Sequence, residues 1–256
     1  MNKANFYSTR LFLNAVIPVM KEINQEYGYF GNRNCKVQIS VDTSEGRLGT
    51  HFVVEDGKMN TVLACTDDAD VTFHFPNEEH FINFFKGKST KLPKIKGLGK
   101  PGIVVATFRT LLKMSALLGA KEPPKEEAVK ALVVKLFFYL LSTGISQLNK
   151  LGHEDVVNWT KTSPNRVYGW SVDGYEEAGA YLRVKAGKTK AARGMYTRSQ
   201  PFFTMRFADL DSALAILLST GDLLQLTAEK KLIMEGAPEY GAQIGDYMML
   251  VGSYVQ

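Results

Sequence analysis

Cysteine is scarce in this chain: Cys35 and Cys65 are the only two in 256 residues. A disulfide framework is therefore not the expected basis of the fold, and a reducing, cytoplasmic setting is. Histidine is scarce too. His51, His74, His80 and His153 are the four present, none pair at the i, i+4 spacing of a helical metal site, and His153-Glu154-Asp155 reads as a solvated loop. No metal or cofactor is expected. Uninterrupted apolar runs stay well short of the ~18 residues of a membrane span. The nearest, Ala131 to Leu141, is broken by Lys135. Lys3 and Arg10 precede an apolar stretch from Leu11 to Met20, but no small-residue cleavage site follows and Lys21-Glu22 continues a helical pattern, so a signal peptide is not expected. Nor does the closing Gly-Ser-Tyr-Val-Gln resemble a peroxisomal address. A Gly-x-Ser-x-Gly elbow and a thiolate motif are both missing, which leaves a nucleophilic enzyme without support.

What the chain does have is one order of signals written twice, about 130 residues apart. In the first copy His51-Phe52-Val53-Val54 leads through Asp56-Gly57-Lys58 to Val71-Thr72-Phe73-His74-Phe75, and Asn77 then opens an apolar helix through Phe81, Ile82, Phe84 and Phe85. In the second, Tyr181-Leu182-Arg183-Val184 leads through Gly187-Lys188 to Phe203-Thr204-Met205-Arg206-Phe207, and Asp209 opens a helix through Ala213, Leu214, Ile216, Leu217 and Leu218. Both close alike, Ile95-Lys96-Gly97 before the helix from Ile103 to Met114 and Met234-Glu235-Gly236 before that from Ala242 to Val251. Self-similarity over such a period makes the domain the unit of function.

Two domains are accordingly expected, 1–122 and 123–256, each long enough to bury a core. Pro123-Pro124 marks the boundary, and a helix opens each half. Ser8-Thr9 can cap the first, running to about Tyr27 with a kink at Pro18; Glu126-Glu127 start the second, apolar from Ala128 to Leu148. Strand-like segments follow: Cys35 to Val41 alternates, His51 to Val54 and Met59 to Ala64 flank an Asp-Gly turn, and Ala69 to Phe75 ends at Pro76. This predicts an antiparallel meander between helices, hence an α+β class with helices covering one face of each sheet. Leu92-Pro93-Lys94-Ile95 is demoted by its proline to an edge or irregular segment, unlike Leu232-Ile233-Met234.

Gly97-Leu98-Gly99-Lys100-Pro101-Gly102 satisfies Gly-x-Gly-x-x-Gly, yet no buried strand precedes it, and a glycine turn before the last helix explains the same residues. Asp67-Asp68-Ala69-Asp70 lacks the glycine and distal glutamate of a calcium loop and reads as a polar turn. The net charge of +5 is mild, and Lys86, Lys88, Lys91, Lys94, Lys96 and Lys100 have no aromatic residue among them, so a base-stacking nucleic-acid groove is not expected. A solvated loop is the ordinary reading of Lys86 to Lys100. Transient contact with anionic lipid or an acidic head group is the alternative.

The positive signal is apolar excess. Ala131 to Leu141, Phe81 to Phe85 and Ala213 to Leu218 are hydrophobic nearly all round, whereas a helix covering a sheet needs one apolar stripe. The surplus must meet the other domain, another chain or an apolar ligand.

Taken together, the strand, Asp-Gly-Lys turn and strand, the Asn77 or Asp209 cap, Gly221-Asp222 and Lys231-Leu232-Ile233-Met234-Glu235-Gly236 resemble the sterol carrier protein domain family, which includes lipid-transfer domains and C-terminal modules of acetyltransferases. The resemblance covers roughly Val37 to Met114 and Val167 to Val251, as a tandem duplication. It implies a mostly antiparallel sheet of about five strands in each copy, with an apolar tunnel under the helices for a sterol, fatty acid, fatty acyl-CoA or phospholipid. It implies no catalytic residues. In copy two the pocket is expected to be lined by Leu214, Leu217 and Leu218 from one helix, Met205 and Met234 from the sheet, and Tyr247 and Met248 from the final helix, methionines being adaptable apolar fillers. In copy one Phe81, Phe84 and Phe85 are placed to plug the equivalent space. The expected function is non-enzymatic binding or transfer of an apolar small molecule. The alternative is a structural or interaction protein without a ligand, an accessory subunit of a larger assembly. The oligomeric state is not legible.

Overall fold

The computed structural model describes residues 3–256, in two compact units. One runs to Ala116 and takes in Tyr254–Gln256; the other spans Leu117–Ser253.

The first unit opens with α1 (Lys3–Leu11), which passes through a stretch of π-helix, Phe12–Val16, and a 3-10 turn, Ile17–Val19, into α2 (Met20–Tyr27). The expected cap at Ser8-Thr9 is corrected: both residues lie buried inside α1. Pro18 distorts the turn ahead of it instead of making one kink. Its ring crowds the carbonyl four residues back and it offers no N–H, so the Ile17 N–H reaches Phe12 O across a widened turn before the helix tightens.

The strands are β1 (Cys35–Thr43), β2 (Gly46–Glu55), β3 (Lys58–Val62), β4 (Val71–Phe75) and β5 (Lys94–Lys96), with α3 (Glu78–Phe85) before β5 and α4 (Pro101–Leu118) after it. Their order is β3-β2-β1-β4-β5. Every neighbouring pair is antiparallel except β1 and β4, which run parallel with Val37 opposite Val71. The expected meander is therefore corrected: the β2–β3 hairpin folds to one side and β4 returns to the other side of β1. Alternation tells which face a residue takes, not which strand lies beside it. Pro93 leaves β5 a three-residue strand at the sheet edge.

The second unit carries α5 (Glu127–Lys150), α6 (Glu154–Thr162), β6 (Arg166–Val172), β7 (Ala180–Lys185), β8 (Lys188–Arg193), β9 (Phe203–Phe207), α7 (Leu210–Leu217), α8 (Leu223–Ala228), β10 (Leu232–Glu235) and α9 (Pro238–Val255). Its order, β10-β9-β6-β7-β8, reproduces the first sheet, including one parallel pair at β6 and β9. The fold is α+β, with two similar five-stranded units.

The likeness extends to local chemistry. Asp56-Gly57 and Ala186-Gly187 form two-residue hairpin turns with positive φ at both positions, joining Glu55 to Lys58 and Lys185 to Lys188. An asparagine of the opening helical stretch steadies each turn: Asn24 Nδ2 donates to Gly57 O at 2.7 Å and Asn149 Nδ2 to Gly187 O at 3.0 Å. Asn77 caps α3 by accepting from the His80 amide at 2.8 Å, and Asp209 caps α7 by accepting from Ser212 at 2.7 Å. A basic residue of the opening helix meets the first turn of that capped helix in both, Arg10 with Glu78 at 3.9 Å and Lys130 with Asp211 at 2.6 Å.

By length and composition α4 and α5 could each cross a membrane. Most of α5 is nevertheless buried, packed on β7, β8 and α7, as the core helix of its unit.

Candidate functional site

Strand pairing decides which side chains of the second unit share a face. Tyr168, Trp170 and Val172 of β6 stand opposite Phe203, Met205 and Phe207 of β9, and Met205 in turn stands opposite Met234 of β10. This is the helix-covered face: Phe138 of α5 stacks near Phe207, with ring centroids 6.1 Å apart, and Trp170 Nε1 donates to Met248 Sδ of α9 at 3.3 Å. The opposite face is polar, with Arg206 bridging Asp173 and Glu235 at 2.7 Å each.

Two close approaches hold α9. A β-carbon on Gly241 would lie 2.7 Å from Met234 Sδ and 3.0 Å from Phe203 Cζ, and one on Gly144 of α5 would lie 2.6 Å from Val251 Cγ1. Helix and sheet therefore meet at Gly241, and helix and helix at Val251. Between these anchors, roughly 15 Å apart at 1.5 Å per residue, Ile244 is buried while Tyr247 and Met248 are only half-buried.

Of the residues expected to line a pocket, Met205, Met234 and Met248 are brought onto or against this face. Tyr247 packs on Trp159 of α6 at 4.8 Å between centroids. Burial pushes its hydroxyl pKa above the ordinary tyrosine value, with Asp155 adding to the effect. Leu214 is fully buried on α7, and Leu217 and Leu218 are half-buried at its end. α7 packs on α5 and β9.

Residue-by-residue reading of the chain passes over Tyr168. Its side chain is fully buried, yet its hydroxyl has no hydrogen-bond partner among the described residues. The ring lies 5.3 Å from Trp159 and 5.9 Å from Phe202, beside the strand position that meets Gly241. An unpaired buried hydroxyl costs about 1–3 kcal/mol, which a polar group entering the site would recover. The short helix α8 beside β10 also goes unread, although Asp222 caps it by accepting from Gln225 at 2.8 Å.

In the first unit the corresponding region is filled with rings. Phe75 of β4 lies within 5.1 Å of Phe81, 5.3 Å of Phe84 and 5.9 Å of Phe85, and Phe12 closes on Phe81 and Phe85. Gly97, from the glycine-rich stretch, has φ +86 and its absent β-carbon would sit 2.0 Å from Asp70 O. Backbone crowding at a turn accounts for that glycine.

The nearest approach to a catalytic constellation is on the first sheet's other face. The parallel register sets Ser40 beside His74, with Ser40 Oγ 3.1 Å from Nδ1, while Asp42 Oδ2 lies 3.1 Å from Nε2. Arg47, bonded to Asp42 at 2.9 Å, is the main reason that this carboxylate titrates below the usual range. Ser40 is fully buried, which denies its oxygen to a substrate. Among the described residues no group of three His, Cys, Asp or Glu side chains is placed to hold a metal ion, and both cysteines are free.

Solved sterol-carrier-type structures are among its structural neighbours. A conserved hypothetical protein of Thermus thermophilus, with a suggested sterol carrier role, is 16% identical at a TM-score of 0.31, over 46% of this chain and 88% of that one. Palmitated SCP2L2 from Aedes aegypti is 14% identical at 0.29, over 42% and 90%, and the ubiquinone synthesis protein UbiJ-SCP2 is 16% identical at 0.28, over 46% and 96%. No family model and no curated protein matches the chain. At these identities and TM-scores the neighbours decide neither ligand nor activity.

Proposed function

We propose that the second unit binds an apolar small molecule, such as a fatty acid or another single-chain lipid, between its sheet and α9, and that the protein carries or sequesters this ligand without turning it over. The observation that carries this reading is the meeting of adaptable methionines, Met205, Met234 and Met248, with a buried, unpartnered Tyr168 hydroxyl on one helix-covered face. Thioether side chains repack around varied apolar shapes, and a lone hydroxyl suits a single polar head. A chain of about 16 methylenes contributes roughly 13 kcal/mol gross on burial, and association costs of several kcal/mol leave micromolar binding within reach. The Thermus and Aedes proteins are themselves named for possible sterol carriage and for palmitate, but the case for this chain rests on its own side chains.

Native mass spectrometry of gently purified protein and titration with a fluorescent fatty-acid analogue test this. Met248→Asp, at the half-buried α9 position that meets Trp170, should strip analogue binding while the protein stays folded, because an unpaired carboxylate in an apolar site costs several kcal/mol or draws water in. Undiminished binding by Met248→Asp, together with loss of function on replacing a histidine, would reopen the enzyme class.

A further inference from the structure

From His80 to Lys121 the chain contains no Asp or Glu, but nine Lys and Arg: Lys86, Lys88, Lys91, Lys94, Lys96, Lys100, Arg109, Lys113 and Lys121. The whole chain's net charge is only +5, so this one segment more than accounts for it and the remainder is net negative.

The same segment is apolar where a soluble surface is usually polar. Leu92 is 58% exposed, Leu98 66%, Val105 55% and Leu112 67%. Val105 and Leu112 are seven residues apart on α4 and so share one face of the helix. On its other side α4 buries Ile103, Thr107, Thr110 and Met114, and beside the exposed stripe Phe108 meets Phe73 edge-on at 5.0 Å. Lys100 is held by Asp70, and among the described residues no carboxylate pairs with Lys88 or Lys91; Lys94 and Lys96, opposite His74 and Thr72, take the sheet face away from α4. Arg109 and Lys113 lie over the rings of Tyr29 and Tyr27, 4.9 and 4.5 Å from the centroids, which sets amphipathic aromatics beside the same helix.

We propose that the α4 face of the first unit docks on an anionic bilayer surface, Arg109 and Lys113 of α4 with Lys88 and Lys91 of the preceding loop seeking lipid phosphates and carboxylates while Leu98, Val105 and Leu112 enter the interface. Charge complementarity selects this occupant. Basic clusters flanking an apolar helix are drawn to acidic lipid, apolar side chains in the interface add affinity, and tyrosines favour the head-group level. An apolar protein partner would leave the cations without counter-charge, and a second copy would bring like charge against like. The inference stands on the first unit alone and does not depend on ligand binding by the second.

Flotation of the full-length protein with phosphatidylcholine vesicles, with and without phosphatidylserine, tests it. Binding is expected only where phosphatidylserine is present and should weaken as salt is raised. Arg109→Gln with Lys113→Gln should lower the partition coefficient roughly thirtyfold, each cation near such a surface being worth about fivefold. Leu98→Ser with Leu112→Ser should lower it by about tenfold or more with the charge intact, and exposed sites such as these leave the fold undisturbed. Equal binding to neutral vesicles, no flotation, or unchanged flotation of both variants would overturn the proposal. So would a dimer in sedimentation that Leu112→Ser dissociates while vesicles are ignored. Protein that floats but takes up no fatty-acid analogue would retain this docking face and remove the carrier reading.

Discussion

Gly144 is where α5 lets α9 come close, and replacing it with alanine sets two known effects against each other. The added methyl would sit 2.6 Å from Val251 Cγ1 and 3.0 Å from Cγ2, where carbon pairs are at rest near 3.5–4.0 Å. Val251 is fully buried and β-branched, so it has no second rotamer to retreat into, and α9 itself must shift. Overpacking of this kind costs about 1–3 kcal/mol, while the helix gains about 1 kcal/mol from exchanging glycine for alanine. Gly144→Ala should therefore destabilise the second unit by about 1 kcal/mol on balance. In a Val251→Ala background the two offending methyls are gone and the remaining contact, with Cβ at 3.4 Å, is ordinary. There the same substitution should stabilise by about 1 kcal/mol, a coupling of roughly 2 kcal/mol between the sites. Urea melts followed by tryptophan fluorescence measure this in one unit, because the chain's two tryptophans, Trp159 and Trp170, both belong to the second. A Gly144→Ala protein at least as stable as the parent, or an effect of the same sign in both backgrounds, would refute the reasoning.

Tyr168→Phe removes a buried hydroxyl that has no partner, so stability should hold or rise while affinity for a fatty-acid analogue falls about fivefold to tenfold, as loss of one hydrogen bond to the ligand head requires; parallel melts and titrations check both halves. Asp209 is raised by burial but lowered further by its bonds to the Ser212 hydroxyl and amide, and titrates below the ordinary carboxylate range. Its stabilising contribution is thus present above the unfolded value of about 3.9 and lost as pH falls through the depressed folded one. Asp209→Asn, which still caps α7, should flatten that acid limb while changing neutral stability by less than about 1 kcal/mol, as melts at several pH values would show.

Legibility followed the range of the interactions. Asn77 and Asp209 could be read as caps because each bonds an amide three residues on, and Asp56-Gly57 could be read as a turn because its backbone demand is local. Which strands become neighbours was not readable. Val71 alternates as a core strand residue in any partner's company, and only packing placed it parallel to Val37. For the site, apolar character singled out Met205, Met234 and Met248, since burial follows hydrophobicity. The polar element escaped because Tyr168 looks like any aromatic strand residue until its surroundings show that nothing bonds its hydroxyl. The Ser40, His74 and Asp42 row escaped for a related reason: a parallel register assembles it from two distant strands.

The parallel pair at the centre of each sheet also orders events in time. Val37 and Val71, like Tyr168 and Phe203, must close a loop of roughly 35 residues, and the β2–β3 or β7–β8 hairpin lies inside it. Hairpins form in microseconds, whereas the long loop yields contacts only after its entropy has been lost, so the hairpin folds first and shortens the closure that remains. Gly57 and Gly187, two glycines at the tips of surface turns, thereby govern how quickly each unit reaches its core: a bulky substitution at either should slow refolding in stopped-flow measurements more than it speeds unfolding.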